Sequence, residues 1–162
     1  MHSELEHLLT LLDEAYKRAA WHGPNLGGSI RGLTASEAAW RPKAGRHNIW
    51  EIVVHAAYWK YRVRRQLLGE KSGSFSVQGS NWFVRPVGLS ERSWRADVVL
   101  LDQEHQRLRA AVSELGPEDL DRSARTSKTL VRRLVTGIAL HDVYHAGQIQ
   151  LIKKLLKPTK AR

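Results

Sequence analysis

Cysteine is absent from the 162 residues, methionine occurs once and phenylalanine twice. Without cysteine there is no disulfide framework, no thiol nucleophile and no Cys-ligated zinc site. Nitrogen ligands for a metal must come from the eight histidines. No stretch approaches the roughly 18 consecutive apolar residues of a membrane span. The start, Met1-His2-Ser3-Glu4, lacks the basic and apolar regions of a signal peptide, so a cytoplasmic location is the expectation. What is present is ordinary for a globular chain: 42% hydrophobic and 26% charged residues. The length suits one domain over 1–162, with enough chain to bury a core unaided.

The net charge is +10. Such a surface suits an anionic substrate or a nucleic acid, and is equally consistent with a basic, soluble surface and no such partner. The charges are spread along every segment, apart from Arg62, Arg64 and Arg65 and a tail with Lys153, Lys154, Lys157, Lys160 and Arg162. No RNA-binding aromatic signature and no zinc-finger spacing accompanies them. A nucleic-acid partner is therefore the least favoured reading, because basicity alone is non-specific.

Four segments repeat apolar residues at three- and four-residue steps, the helical period. The first spans about Ser3 to Trp21, with Ser3 and Glu6 as a capping box and Gly23-Pro24 as a stop. The second begins after Asn48, again with an acid three residues on, Glu51, and ends at Gly69. The third spans Ser90 to Leu115 and carries His105 in its apolar stripe. The fourth runs from about Thr129 to Leu156, before Pro158. A loop around Gly27-Gly28 leaves room for one short turn capped by Thr34 and Glu37, and Glu118 to Ser127 forms a polar connection. Residues 70–89 have no period and read as a long loop in which Trp82 and Phe83 look exposed. The expected fold class is all-α, a four-helix bundle with long loops.

On the fourth helix the inward stripe reads Leu134, Ile138, His141, His145, Gln148, Ile152. His141 and His145 stand at i and i+4, so both rings leave one side of the helix. The same spacing serves the HExxH metalloprotease helix, but the glutamate of that motif is absent here. His55 interrupts the apolar face of the second helix in the same way. Buried imidazoles need partners, and three on facing helices can satisfy one another through a metal ion. Three protein ligands leave a position for water or substrate, the pattern of a catalytic site. His105 is read as structural or half-exposed, and His2, His7, His22 and His47 as surface residues.

Trp40-Arg41-Pro42, the run from His47 to His55, and His141-Asp142-Val143-Tyr144-His145-Ala146-Gly147-Gln148-Ile149 together resemble the DinB-like superfamily. The resemblance covers most of the chain. It implies a four-helix bundle with an unusual helix connection, often a homodimer. It also implies one divalent metal ion (nickel, zinc, manganese or iron) held by His55, His141 and His145. Characterised relatives are thiol-dependent transferases and isomerases using a low-molecular-weight thiol, and others are described only as metal-dependent hydrolases. A non-catalytic metal-binding or stress-response module is the alternative, motivated by the lack of an obvious general base. Glu51 reads first as a cap partner of Asn48 and otherwise as support for His55. Asp142 and Tyr144 flank the ligands as weak candidates. Gln148 is expected to hydrogen-bond across the bundle, and Gly147 to permit close helix packing. Arg41, Arg46 and Arg85 are read as solvated charges that a thiol's carboxylates would suit as a basic rim.

Overall fold

The computed structural model describes residues 3–157. The expectations for His2, for Pro158 as a stop, and for Lys160 and Arg162 lie outside them. The elements are α1 (Glu4–Tyr16), α2 (Leu26–Ile30), α3 (Ala35–Ala39), α4 (Ile49–Leu68), α5 (Glu91–Ser113), a 3₁₀ turn (Pro117–Asp119) and α6 (Val131–Leu156). No strand occurs among the described residues, only two isolated bridges. The class is all-α, as the periodicity predicts.

Every α-helix but α6, which starts after Leu130 without a side-chain cap, begins at a capping side chain. Ser3, Thr34 and Asn48 accept a backbone N–H three residues on, and Glu6, Glu37 and Glu51 return the bond in capping boxes. Each such cap is worth about 1 kcal/mol. At the end of α4, Gly69 adopts a left-handed conformation, φ 75°.

Two boundaries depart from the sequence expectation. α1 ends at Tyr16, five residues before Trp21, which is fully exposed. The backbone N–H groups of Lys17 and Arg18 both return to the Asp13 carbonyl, and the Arg18 carbonyl accepts a bond from the Asn25 side chain at 2.7 Å. That side chain also caps α2, a short helix in the segment expected to be loop. A Cβ on Gly27 would stand 2.8 Å from the Tyr16 carbonyl, so glycine allows α2 to lie against the end of α1.

The four long helices pack in the cyclic order α1, α6, α4, α5, and α4 and α6 run antiparallel. Two apolar clusters fill the bundle. One gathers Trp50, Ile52, Val53, Trp94, Leu101, Ile149 and Ile152, with Phe75 and Phe83 from the long loop. The other gathers Leu8, Leu12, Val63, Leu108, Val112, Val135 and Ile138. Phe83 is thus a core residue, not an exposed one. Side chains of the intervening turns are polar and buried: Lys60, Glu104, His105, Asp142 and His145.

Lys60 and Asp142 are both fully buried and form an ion pair between α4 and α6. The Lys60 ammonium also lies 5.0 Å from the centre of the Tyr16 ring, and that ring stacks on His105 at 3.9 Å. Burial pushes the Lys60 amine down and the Asp142 carboxyl up, each opposed by attraction to the other. Removing one member strands the other charge in the core. Lys60→Ala is therefore expected to destabilise the fold by about 3–5 kcal/mol, read from chemical denaturation. Exposed Lys71→Ala, the control, is expected to change stability by no more than about 0.5 kcal/mol.

Candidate metal centre

His55 projects from the middle of α4, and His141 and His145 from successive turns of α6. The Nε2 atom of His141 lies 3.1 Å from that of His55 and 3.1 Å from that of His145. His55 and His145 are 5% and 2% exposed, while His141 is half-buried and forms the open side. These three side chains form a group that could hold a metal ion, with donor atoms all within 4.8 Å of one another. The structure therefore brings together the three histidines singled out by spacing. It keeps His105 apart, stacked on Tyr16. His7 and His22 lie on the surface.

The hydrogen bonds decide where the lone pairs point. His55 Nδ1 donates to the Asn81 backbone carbonyl at 2.8 Å, and His145 Nδ1 donates to Gln148 Oε1 at 2.7 Å. A neutral imidazole carries one N–H, so both Nε2 atoms present lone pairs towards His141. His141 can offer at most one hydrogen to the two of them. One of the two contacts is then lone pair against lone pair. A cation shared by three nitrogens removes that conflict, and carbonyl or amide support at Nδ1 is the usual environment of histidine ligands. Nδ1 of His141 is buried without a partner. The donor set thus fits a divalent ion that accepts imidazole nitrogen.

Burial pushes all three imidazoles below the usual histidine pKa of 6.5. His145 falls to about 4, with the Gln148 bond opposing the shift, and His141 to about 3, helped by the other two rings and Lys60. For His55 burial also dominates, against the Asn81 bond. Near neutral pH all three rings are uncharged, the form that ligates.

Several supports escape a reading by spacing alone. Asn81 adopts φ 60° in the long loop, and its side chain accepts from the Trp59 indole at 3.0 Å while its carbonyl holds His55. Asparagine after a Gly-Ser pair is a frequent left-handed turn residue, which is the only sequence signal. Trp82 is sandwiched between His55 at 3.8 Å and His47 at 3.6 Å. His47 is therefore part of the site's surroundings and not merely a surface residue. Its Nδ1 lies 3.0 Å from Glu51, so His47, Glu51 and His55 follow one another at four-residue steps along a single face.

Glu51 serves as the cap partner and ion-pairs with Arg41. Burial raises its pKa, but the bonds from Arg41 and His47 outweigh this and hold the carboxyl below its usual range. Arg85 pairs with Asp97 at 2.8 Å, so of the three arginines Arg46 alone has no acid beside it among the described residues. Gln148 bonds along its own helix, to His145 and to the Tyr144 hydroxyl at 2.9 Å, and not across the bundle. Gly147 faces open space, with nothing within 4 Å of an added Cβ, so it does not serve helix packing within this chain. A cavity of about 320 Å³ lies behind Trp82 and Gln148, which contact His55 and His145; Arg46, His47, Ile52 and Leu151 also line it, and none of the three histidines does. A cavity of about 700 Å³ lies elsewhere, between α2 and α5, and touches none of the three histidines.

A helical bundle with facing histidines on two antiparallel helices is a metal-site architecture of the all-α class. Among known families, the model of the DinB superfamily matches residues 11–149, and the chain belongs to that superfamily. No curated protein and no solved structure matches the chain. No helix of the described residues is long and apolar enough to cross a membrane.

Burial has a consequence for stability. His105 is held at about 2 by burial and by the positive charges of Lys60, Arg109 and Lys17, and His141 and His145 lie at about 3 and 4. Below pH 6.5 the unfolded chain takes up protons that the native state refuses. In metal-free protein, native stability is therefore expected to fall as the pH drops from 6.5 towards 4, and to be nearly level from 7 to 8. Urea melts across that range, with His105→Gln reducing the slope, test the sign and the source.

Proposed function

We propose that the chain is a metal-dependent enzyme in which His55, His141 and His145 hold one divalent ion, nickel, zinc, manganese or iron. Its reaction is the transfer of a low-molecular-weight thiol to an electrophilic small molecule. The single observation that carries the reading is the convergence of three imidazole Nε2 atoms from two helices, that of His141 standing 3.1 Å from each of the others, with half-buried His141 on the open side. A bound ion there supplies Lewis acidity, lowering the pKa of a coordinated thiol or water.

The chain's own residues favour a thiol over water. Glu51 is engaged by Arg41 and His47, and Asp142 is buried against Lys60. Neither carboxylate is free to take a proton from water. A thiol starts near pKa 8.5 and needs far less help to ionise. Asn81 and Gln148 orient their imidazoles, Trp82 covers His55 and excludes water from that side, and Arg46 offers an unpaired positive charge at the adjoining cavity for a substrate carboxylate. Hydrolysis is the second reading, and a non-catalytic metal-binding module the third. The chain is further expected to act in the cytoplasm as a homodimer, without a nucleic-acid partner.

Elemental analysis of purified protein is expected to give close to one ion per chain, with His145→Ala retaining almost none. Full retention in that variant overturns the ligand assignment. Gln148→Leu removes the acceptor for His145 Nδ1 and is expected to weaken metal binding roughly 10–100-fold. Metal-loaded protein given a small thiol and an electrophile is expected to form the conjugate. Ester hydrolysis without thiol instead would select the second reading, and inactivity towards both panels with the metal retained would select the third.

A further inference from the structure

α6 has a second face that the histidine site does not use. Leu140, Tyr144, Leu151 and Leu155 are 56%, 62%, 59% and 55% exposed. Their spacing of four, seven and four residues keeps them on a strip roughly 60° wide at 100° per residue. Single exposed apolar side chains are normal on a protein surface, but four aligned on one helix form a patch that calls for a partner.

We infer that this strip is the seam of a two-fold symmetric dimer in which α6 packs antiparallel against α6 of a second copy. This rests on the homodimer reading above and assigns it a surface. Three observations favour a second copy as the occupant. The first is the symmetry of the spacing. Leu140 and Leu155 stand equally far from the midpoint between Gly147 and Gln148, and so do Tyr144 and Leu151. An antiparallel helix crossing at that midpoint sets Leu140 against the partner's Leu155, and Tyr144 against the partner's Leu151. Self-complementarity of this kind is what a two-fold interface requires.

The second is charge. From Leu134 to Ile152 the sole charged residue is Asp142, which is buried against Lys60. In a chain of net charge +10, this stretch lets two copies meet without opposing like charges. Lys153 and Lys154 stand beside Leu155 at one end of the strip, and the antiparallel pairing sets them level with Asp142 and His141 of the second copy, not against each other. The third is Gly147, at the centre of the strip. Mid-helix glycine costs roughly 0.5–1 kcal/mol relative to alanine, and no contact within the chain accounts for it. Opposite a second helix, its bare backbone permits close approach.

The seam borders the metal centre. The Tyr144 ring lies 5.1 Å from the His145 ring, and its hydroxyl accepts from the Gln148 amide that holds His145. Leu151 and Leu155 line the cavity beside the cluster, so the second copy completes that cavity's outer wall.

The absence of native cysteine gives a clean test. The protein is expected to sediment as a dimer, and Leu151→Glu to weaken association about thirtyfold or more while circular dichroism stays unchanged. Under mild oxidation, an equimolar mixture of Tyr144→Cys and Leu151→Cys chains is expected to cross-link into a heterodimer. Each variant alone should not, because its two copies of the cysteine lie about 10 Å apart along the antiparallel pair. A strictly monomeric wild type overturns the homodimer reading and the seam together. A dimer that tolerates Leu151→Glu and fails to cross-link overturns the seam alone, and cross-linking of each variant with itself overturns the antiparallel arrangement. A monomer whose retention on anionic vesicles is lost in Leu151→Glu would assign the strip to a lipid surface instead.

Discussion

The structure depends on how α4 meets α6, and the buried Lys60–Asp142 pair fixes that meeting. Two apolar clusters, one above and one below, could tolerate sliding by a turn, since leucine, isoleucine and valine are nearly interchangeable in shape and carry no directional bonds. An ammonium and a carboxylate both sealed from solvent cannot slide, because each must stay in contact with the other. Lys60 follows His55 on α4, and Asp142 is the residue after His141 on α6. Holding the pair in register therefore holds the histidines in register. Tyr16 and His105 complete this polar layer from α1 and α5, so all four long helices meet at the level of the site.

The three imidazoles exploit that register. Hydrogen bonds to Asn81 and Gln148 turn two rings so that their lone pairs face the third, and burial keeps all three uncharged. The long loop between α4 and α5 takes part directly. Its Phe75 and Phe83 anchor it in the core, which lets Asn81 and Trp82 be held against His55. A structureless loop of that length thus acts as a wall of the site. Glu51 and Asp142, the acids nearest the ligands along the chain, are both occupied elsewhere. That distribution of carboxylates inclines the chemistry towards a nucleophile that ionises readily.

α6 carries two sets of residues on two faces. Towards the bundle it presents His141, His145 and the apolar residues of both clusters, while outward it presents an uncharged apolar strip interrupted by Gly147. Tyr144 and Gln148 stand between the faces and join them through one hydrogen bond.

Most of the helices were legible in the sequence because their determinants are local: a cap residue, an acid three positions later, an apolar period, a glycine at the end. The family and the three histidines were legible too, since i and i+4 spacing on an apolar stripe has few meanings. The early end of α1 and the short α2 were hidden because they depend on Asn25 reaching back to Arg18 and on Gly27 meeting the Tyr16 carbonyl. Phe83 and Trp82 looked exposed because their loop has no period, and the stacking of His47, itself an exposed residue as expected, was hidden because its partner is 35 residues away. Lys60 carries no local signal that separates it from the other lysines of a basic chain. Spacing along a helix determines which side chains share a face, and that much the sequence settled. Which faces meet, and therefore whether a lysine is solvated or locked in the core against an aspartate 82 residues on, only the tertiary structure decided.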